Sequence, residues 1–197
     1  MIRIFDILLS LTGLLVLSPV FLVIMIIIPL DSRGDIFFLQ TRVGKNSKDF
    51  RLIKFRTMAT GADKKGDLTV GTRDSRITRV GAFLRRYKLD EIPQLLNVLK
   101  GDMSLVGPRP EIRKYVEMYT TEQKKVLAVR PGITDWASIE YYNENEILGR
   151  SPDPEKTYIE ELMPAKILLN MQFIEKPTIG NYFHILGKTI RSLVIGH

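Results

Sequence analysis

Apolar side chains dominate the first thirty positions and then thin into short periodic runs. Between Asp6 and Asp31 stand 24 residues without a charge, enough for a helix of roughly 36 Å at 1.5 Å per residue. Length and composition predict a membrane helix. A cleavable leader fits less well, because the run is too long and no small-residue cleavage site precedes Asp31-Ser32-Arg33-Gly34. Ser18-Pro19 interrupts the run at its centre. Proline removes a backbone donor and crowds the preceding turn, while a serine hydroxyl can bond a freed carbonyl inside lipid. The two halves are each about 16 Å long, so a kinked span and a re-entrant hairpin both fit. Arg3 stands before the run and Arg33, Arg42 and Lys45 after it, which agrees with two cytoplasmic ends.

Past residue 31 the period changes. Residues 35–40 and 50–55 are rich in aromatic and aliphatic side chains, and Gly44-Lys45-Asn46-Ser47 between them predicts a hairpin connection. Residues 60–74, with three glycines and many charges, predict a loop. Apolar positions 77, 80, 83, 84 and 87 have helical spacing. A second helix over 90–99 puts Ile92, Leu95, Leu96 and Leu99 on one face, with Gly101 just past its end. Gly107-Pro108-Arg109-Pro110 is excluded from any helix interior. Further helices are predicted over 121–129, 154–175 and 182–194. The last sets Tyr182, Phe183, Ile185, Leu186, Ile190, Leu193 and Val194 against Lys188 and Arg191, so it suits either a membrane surface or the domain core. The fold class is α+β, mostly helical: a membrane-inserted segment at 1–30 and one compact domain carrying a short β-hairpin and interfacial amphipathic helices. No repeat or linker divides residues 1–197.

Composition narrows the chemistry. The chain has no cysteine, and its two histidines, His184 and His197, stand near the C-terminus. Thiol nucleophiles and disulfides are excluded, and a histidine triad or zinc cluster is disfavoured. Catalysis would rest on carboxylates, arginines, lysines and a hard cation with oxygen ligands. Residues 31–100 carry 16 Lys and Arg against 8 Asp and Glu, whereas 101–197 carry 12 against 13. A basic half beside a membrane helix suits anionic headgroups or phosphate-bearing substrates. Nucleic acid fits poorly, since no recognition module or stacking pattern accompanies the charge.

The densest chemistry lies within residues 88–110. Asp90 and Glu91 are adjacent, and on a helix they diverge by about 100°. With Pro93 in the first turn, both would sit at a helix N-terminus, where free N–H groups and the dipole favour the anionic form. Alone, that is an ordinary acidic helix start. Around it, however, Lys54 and Arg56 follow a predicted strand, Arg85 and Arg86 precede by one helix, and Arg109 is held between prolines. Such cations suit phosphate oxygens.

A set of ordered motifs adds to this: Asp6-Ile7 leading the apolar run, Ser18-Pro19, Lys54-Phe55-Arg56-Thr57-Met58, Leu89-Asp90-Glu91-Ile92-Pro93-Gln94-Leu95, Asn97-Val98-Leu99-Lys100-Gly101-Asp102-Met103-Ser104, Gly107-Pro108-Arg109-Pro110 and Arg130-Pro131-Gly132-Ile133-Thr134. On these the chain closely resembles the bacterial sugar transferases known as monotopic phosphoglycosyl transferases, in their minimal form. The resemblance implies transfer of a sugar 1-phosphate from a nucleoside diphosphate sugar, usually UDP-linked, to a polyprenyl phosphate such as undecaprenyl phosphate, with release of UMP. It implies Asp90 as the nucleophile of a covalent intermediate, and Glu91 as an aid to deprotonation or to positioning of the lipid phosphate. Mg²⁺ would be the cofactor, with Asp90 among its ligands. Arg85 and Arg109 are the leading phosphate clamps, and Lys54, Arg56 and Arg130 are further binding candidates. The resemblance also implies a re-entrant helix broken at Ser18-Pro19, in contact with membrane lipid on the cytoplasmic face of a bacterial inner membrane. A homodimer stays open. After Thr134 the match weakens, since Asp135-Trp136-Ala137 stands where many relatives continue with glycine, and Gly149-Arg150 is a displaced candidate for their Gly-Arg pair. The competing reading is a non-catalytic membrane-anchored binding protein, with Asp90-Glu91 serving only as a helix cap.

Overall fold

Helix α1 (Ile2–Asp31) is the longest element of the computed structural model, which describes residues 1–62 and 74–195. It remains helical through Pro19, and the Ser18 hydroxyl donates to the Leu15 carbonyl at 2.8 Å. One stripe of this helix is docked on the domain along its whole length. Positions Arg3, Asp6, Ser10, Gly13, Leu17, Phe21, Ile24 and Ile28 recur at helical spacing and meet the domain or are buried. The opposite face leaves Leu8, Leu11, Leu15, Val16, Leu22, Val23, Ile26 and Leu30 exposed. An apolar helix with so many large apolar side chains uncovered fits a non-aqueous neighbour.

Both ends of α1 are anchored by charge. At the start, Arg3 donates to the carbonyls of Val98 and Leu99, which satisfies the open end of a later helix. The buried Asp6 carboxylate accepts from the Ser104 hydroxyl, the Leu105 amide and the Tyr182 hydroxyl, each at 2.9 Å. At the far end, Asp31 accepts from the Val80 amide at 3.0 Å.

The predicted hairpin is present as β1 (Phe37–Val43) and β2 (Asp49–Phe55), antiparallel with Phe37 opposite Phe55 and Val43 opposite Asp49. It starts two residues later than expected and runs three further, because pairing continues to the turn. Phe37 and Phe55 stack at 5.5 Å, and Phe21 of α1 lies 4.8 Å from Phe55. Helix α2 (Arg79–Arg86) comes next, with Thr78 accepting from the Gly81 amide. At Gly81 a Cβ would lie 2.0 Å from the Thr57 carbonyl oxygen, so only glycine lets α2 approach the end of β2.

The expected helix over 90–99 is divided. Leu89–Glu91 forms a 3₁₀ turn, and α3 (Gln94–Lys100) begins only after Pro93, which cannot donate into a continuous ladder. The side chain of Asn97 stitches α3 to β2, accepting from the Ile53 amide and donating to the Arg51 carbonyl. Beyond it lie β3 (Ser104–Val106) and the short α4 (Arg113–Val116). The helix expected over 121–129 is instead a 3₁₀ segment, Gln123–Ala128. Strand β4 (Gly132–Thr134) pairs in parallel with β3, a feature the sequence did not announce. Gly107 and Gly132 pack backbone on backbone there, and a Cβ on Gly132 would stand 2.1 Å from the Gly107 nitrogen.

Helices α5 (Trp136–Glu140) and α6 (Glu144–Arg150) lead to α7 (Pro154–Thr157), a π-helical segment Tyr158–Leu162, and α8 (Met163–Glu175). The single helix expected over 154–175 is therefore present, with a π turn inside it. The last helix, α9 (Ile179–Ile195), buries Tyr182 and Ile185 while Phe183, Ile190 and Leu193 stay exposed. The loop expected over 60–74 falls for residues 63–73 outside the described residues, as do the Val194 side chain and His197.

Candidate active site

Lys54 leaves β2 at the rim of a cavity of about 550 Å³. Arg85 from α2, Asp90 and Glu91 from the 3₁₀ turn, and Arg109 from the Pro108-Arg109-Pro110 segment line the same space. Four separate stretches of chain thus converge on one charged centre. Lys88, in a left-handed conformation with φ 55°, turns the chain between α2 and the acidic pair.

The two acids differ sharply. Glu91 accepts from Lys54 Nζ at 3.2 Å and from both terminal nitrogens of Arg109, a two-pronged pairing. Burial alone would raise its carboxyl, but the charges on Arg109 and Lys54 outweigh burial and hold it well below the usual carboxylate range. The same pairing raises Arg109 further above its already high value. Burial lowers Lys54, against the pull of Glu91.

Asp90 is 7% exposed, and among the described residues its carboxylate accepts no hydrogen bond. Burial, then the negative charge of Glu91, pushes its carboxyl above the usual range, against Lys54, Arg85 and Lys88. The expected pull of a helix start is therefore not what sets either acid, and burial moves Asp90 against that expected direction. Neither side chain caps α3, and Glu91 owes its charge to two cations instead.

Other predicted residues fall in different places. Arg85 lines the cavity and donates from Nε to the Thr57 hydroxyl at 3.0 Å, whereas Arg86 is exposed and lies over the Tyr87 ring. Arg56 borders the cavity, yet its guanidinium is spent on Ser32 and on the carbonyls of Arg33, Gly34 and Asp35. It fixes the chain where α1 ends. Arg130 is exposed, donates to the Gly101 carbonyl at 2.8 Å, and does not line the cavity.

In the sequence Asp135 is only a departure from the family pattern, yet it carries the site. Buried, it accepts from the Arg109 amide at 3.0 Å and from the Ser138 amide at 2.6 Å. One carboxylate thus caps α5 and fixes the backbone that presents Arg109. Among the described residues, no three His, Cys, Asp or Glu side chains gather as a metal cage. Among the described residues that line the cavity, Asp90 and the exposed Asp35 carry carboxylates that accept no hydrogen bond. That donor set fits Mg²⁺, which is commonly held by one or two carboxylates, substrate phosphates and waters.

A mostly helical α+β domain, an apolar helix along one side and a carboxylate-arginine cavity define the class. The chain belongs to the bacterial sugar transferase family, whose pattern it matches over residues 1–196. It is 38% identical over 194 residues to the UDP-N-acetylgalactosamine-undecaprenyl-phosphate N-acetylgalactosaminephosphotransferase of Aeromonas hydrophila, covering 97% of this chain and 43% of that protein. A putative undecaprenyl-phosphate N-acetylgalactosaminyl 1-phosphate transferase of Bacillus subtilis is 46% identical over 120 residues, 61% of this chain and 67% of its own length. The UDP-glucose:undecaprenyl-phosphate glucose-1-phosphate transferase of Escherichia coli is 43% identical over 141 residues, 68% of this chain and 30% of that protein. The chain thus spans less than half of the Aeromonas protein and about two thirds of the Bacillus one.

Proposed function

We propose that this chain transfers a sugar 1-phosphate from a UDP-sugar to undecaprenyl phosphate, as the names of its relatives describe for them. The observation that carries this is the buried Asp90 carboxylate, which accepts no hydrogen bond among the described residues, set among Arg85, Lys54 and Arg109. An Asp90 oxygen attacks the sugar-bearing phosphorus, and the bond to the bridging oxygen breaks. UMP leaves with that electron pair. An oxygen of the lipid phosphate then attacks the same phosphorus, and the Asp90 carboxylate leaves. Two displacements let two unlike substrates use one site in turn.

Arg85 stabilises charge that develops on the diphosphate, and Arg109 does so from a fixed position. Glu91 is already saturated by Lys54 and Arg109 and holds its proton weakly, so it serves to orient those cations rather than to accept a proton. Asp90 and the donor's phosphates would hold Mg²⁺, and the ion would supply neutralising charge there.

The docked stripe of α1 supports a monotopic arrangement. A helix of 30 residues, about 45 Å if straight, contacts one domain from Arg3 to Asp31 and presents its other face outward. That favours a helix that enters and leaves on the domain's side over a perpendicular span, with the cytoplasmic face of the inner membrane as the site. Asp35, Phe37 and Phe38, just past α1, border the cavity. A lipid phosphate therefore has a short route to it.

Release of UMP from UDP-sugars, with undecaprenyl phosphate and Mg²⁺, tests the reaction. Intact-protein mass spectrometry with UDP-sugar alone tests the intermediate: a phosphosugar adduct is expected on the wild type and none on Asp90→Asn. An adduct that persists in Asp90→Asn assigns the nucleophile elsewhere. No UMP release from any UDP-sugar sinks the reading.

A further inference from the structure

Phosphate chemistry accounts for only one end of the cavity. The other wall is built by the end of α4, the chain around α5 and α6, and the α7–α8 helix, and its charges are already paired. Glu111 accepts from Arg42 at 3.0 Å and from the Tyr158 hydroxyl. Lys166 donates to Glu144 at 2.7 Å and lies 5.2 Å above the Tyr158 ring. Tyr115, Tyr119, Tyr141 and Tyr142 line the same region. This end is aromatic and locally neutral, unlike the arginine-rich end.

One polar group on this wall is open. Asn170 of α8 lines the cavity and is 6% exposed, and its carboxamide oxygen is buried without a hydrogen-bond partner. Among the described residues no atom of its amide is bonded to protein. Among the described residues, two other buried side chains hold an unpartnered polar atom, Ser10 and Gln94, and neither lines the cavity. An unmet buried amide costs stability, which a ligand offering both a donor and an acceptor would recover. The π turn at Tyr158–Leu162 lies just before α8. One extra residue in a helical ladder rotates the succeeding turns by about 100°, so this turn sets which face of α8 meets the cavity. Such turns recur at functional sites. The wall also adjoins the acidic pair, because Lys88 lies 5.3 Å above the Tyr142 ring.

We propose that Asn170 and the tyrosine wall receive the neutral polar ring of the nucleotide-sugar donor, either its sugar hydroxyls or the edge of its base. The charged end then takes the diphosphate. This rests on the donor reading above and adds a residue that sets donor affinity from the tyrosine-lined wall of the cavity.

Calorimetric binding of UDP-glucose, UDP-N-acetylgalactosamine and UMP to the full chain in lipid nanodiscs tests it, with Asn170→Leu and the near-isosteric Asn170→Asp beside the wild type. Two lost neutral hydrogen bonds predict about tenfold weaker donor binding. In Asn170→Leu the melting temperature of the free protein should hold or rise, since the unmet amide is gone. Where UMP weakens as much as both donors, the base is the occupant. Where UMP is unchanged and the two donors change unequally, it is the sugar. Donor and UMP affinities within twofold of wild type in both variants overturn the proposal, and so does a wild type that binds neither donor. A wild type that binds donors but releases no UMP with undecaprenyl phosphate sinks the transferase reading and leaves the subsite standing.

Discussion

Glu91 and Asp90 are sequence neighbours on opposite sides of one electrostatic divide. The Glu91 side is closed: two cations face one carboxylate, and Asp135 fixes the backbone behind Arg109. The Asp90 side is open, with a buried charge, no hydrogen bond among the described residues, and a carboxyl pushed upward by burial. A folded protein tolerates an unpaired buried charge only when the rest of the structure over-determines its position. Here the closed side does so, and the open side is left free to react.

Removing each acid in turn should break this contrast most visibly. Asp90→Asn is expected to lose turnover by about 10⁴-fold or more, as removal of a nucleophile does, while its melting temperature holds or rises. Glu91→Gln should do the reverse in stability, losing about 3 kcal/mol because Lys54 and Arg109 are left facing a neutral group. Thermal unfolding of the two variants beside wild type at pH 7 decides it. A destabilised Asp90→Asn, or an unchanged Glu91→Gln, would dissolve the division between the two sides.

Arg109→Lys asks whether geometry or charge matters on the closed side. Lysine keeps the charge and loses the fork that engages both Glu91 oxygens. Turnover should fall about 10²-fold, the scale of losing one oriented donor, with the melting temperature moving by a few degrees. Full activity in this variant would reduce Arg109 to bulk electrostatics.

The pH dependence sharpens the comparison because the two carboxyls are displaced in opposite directions. Glu91 is lowered on folding, so its stabilisation is complete above the unfolded value of about 4.3 and is lost as pH falls toward the folded value. Asp90 is raised, so its contribution is complete below about 3.9 and is lost as pH rises through the folded value. The stability advantage of Asp90→Asn should therefore shrink on acidification before the deficit of Glu91→Gln does. Melting curves from pH 7.5 to 4 read the order, and simultaneous closure of both gaps would contradict it.

How much of the molecule is legible in its sequence depends on how local each signal is. The long apolar helix needs only a run of uncharged residues, and the hairpin only apolar strands around a glycine turn. The acidic pair and Arg109 stand out because proline and charge cluster around them. Strands β3 and β4 escape a sequence reading because three residues carry no period, although Gly107 and Gly132 mark their close backbone approach. Apolar spacing overextends the helix over 90–99, since Pro93 precedes the first turn rather than sitting inside it. Asp135 and Asn170 stay illegible because their roles depend on partners distant in sequence, or on having none among the described residues.

The smallest expected effect concerns Arg130, which the family motif suggests as a binding residue. Its guanidinium lies outside the cavity and donates to the Gly101 carbonyl, the residue that ends α3 at φ 95°. An exposed side chain bonded to one carbonyl contributes about 1 kcal/mol or less. Arg130→Ala should therefore lower the melting temperature by at most a few degrees and leave turnover within about threefold. The charge itself is the complication, since a basic surface steers anionic substrates from a distance. Raising the ionic strength separates the two. A steering contribution falls as salt screens it, with the variant and wild type converging by about 0.5 M, whereas a direct phosphate contact would keep them apart at every salt concentration. A persistent tenfold gap would return Arg130 to the substrate-binding set and extend the closed side of the site beyond the cavity.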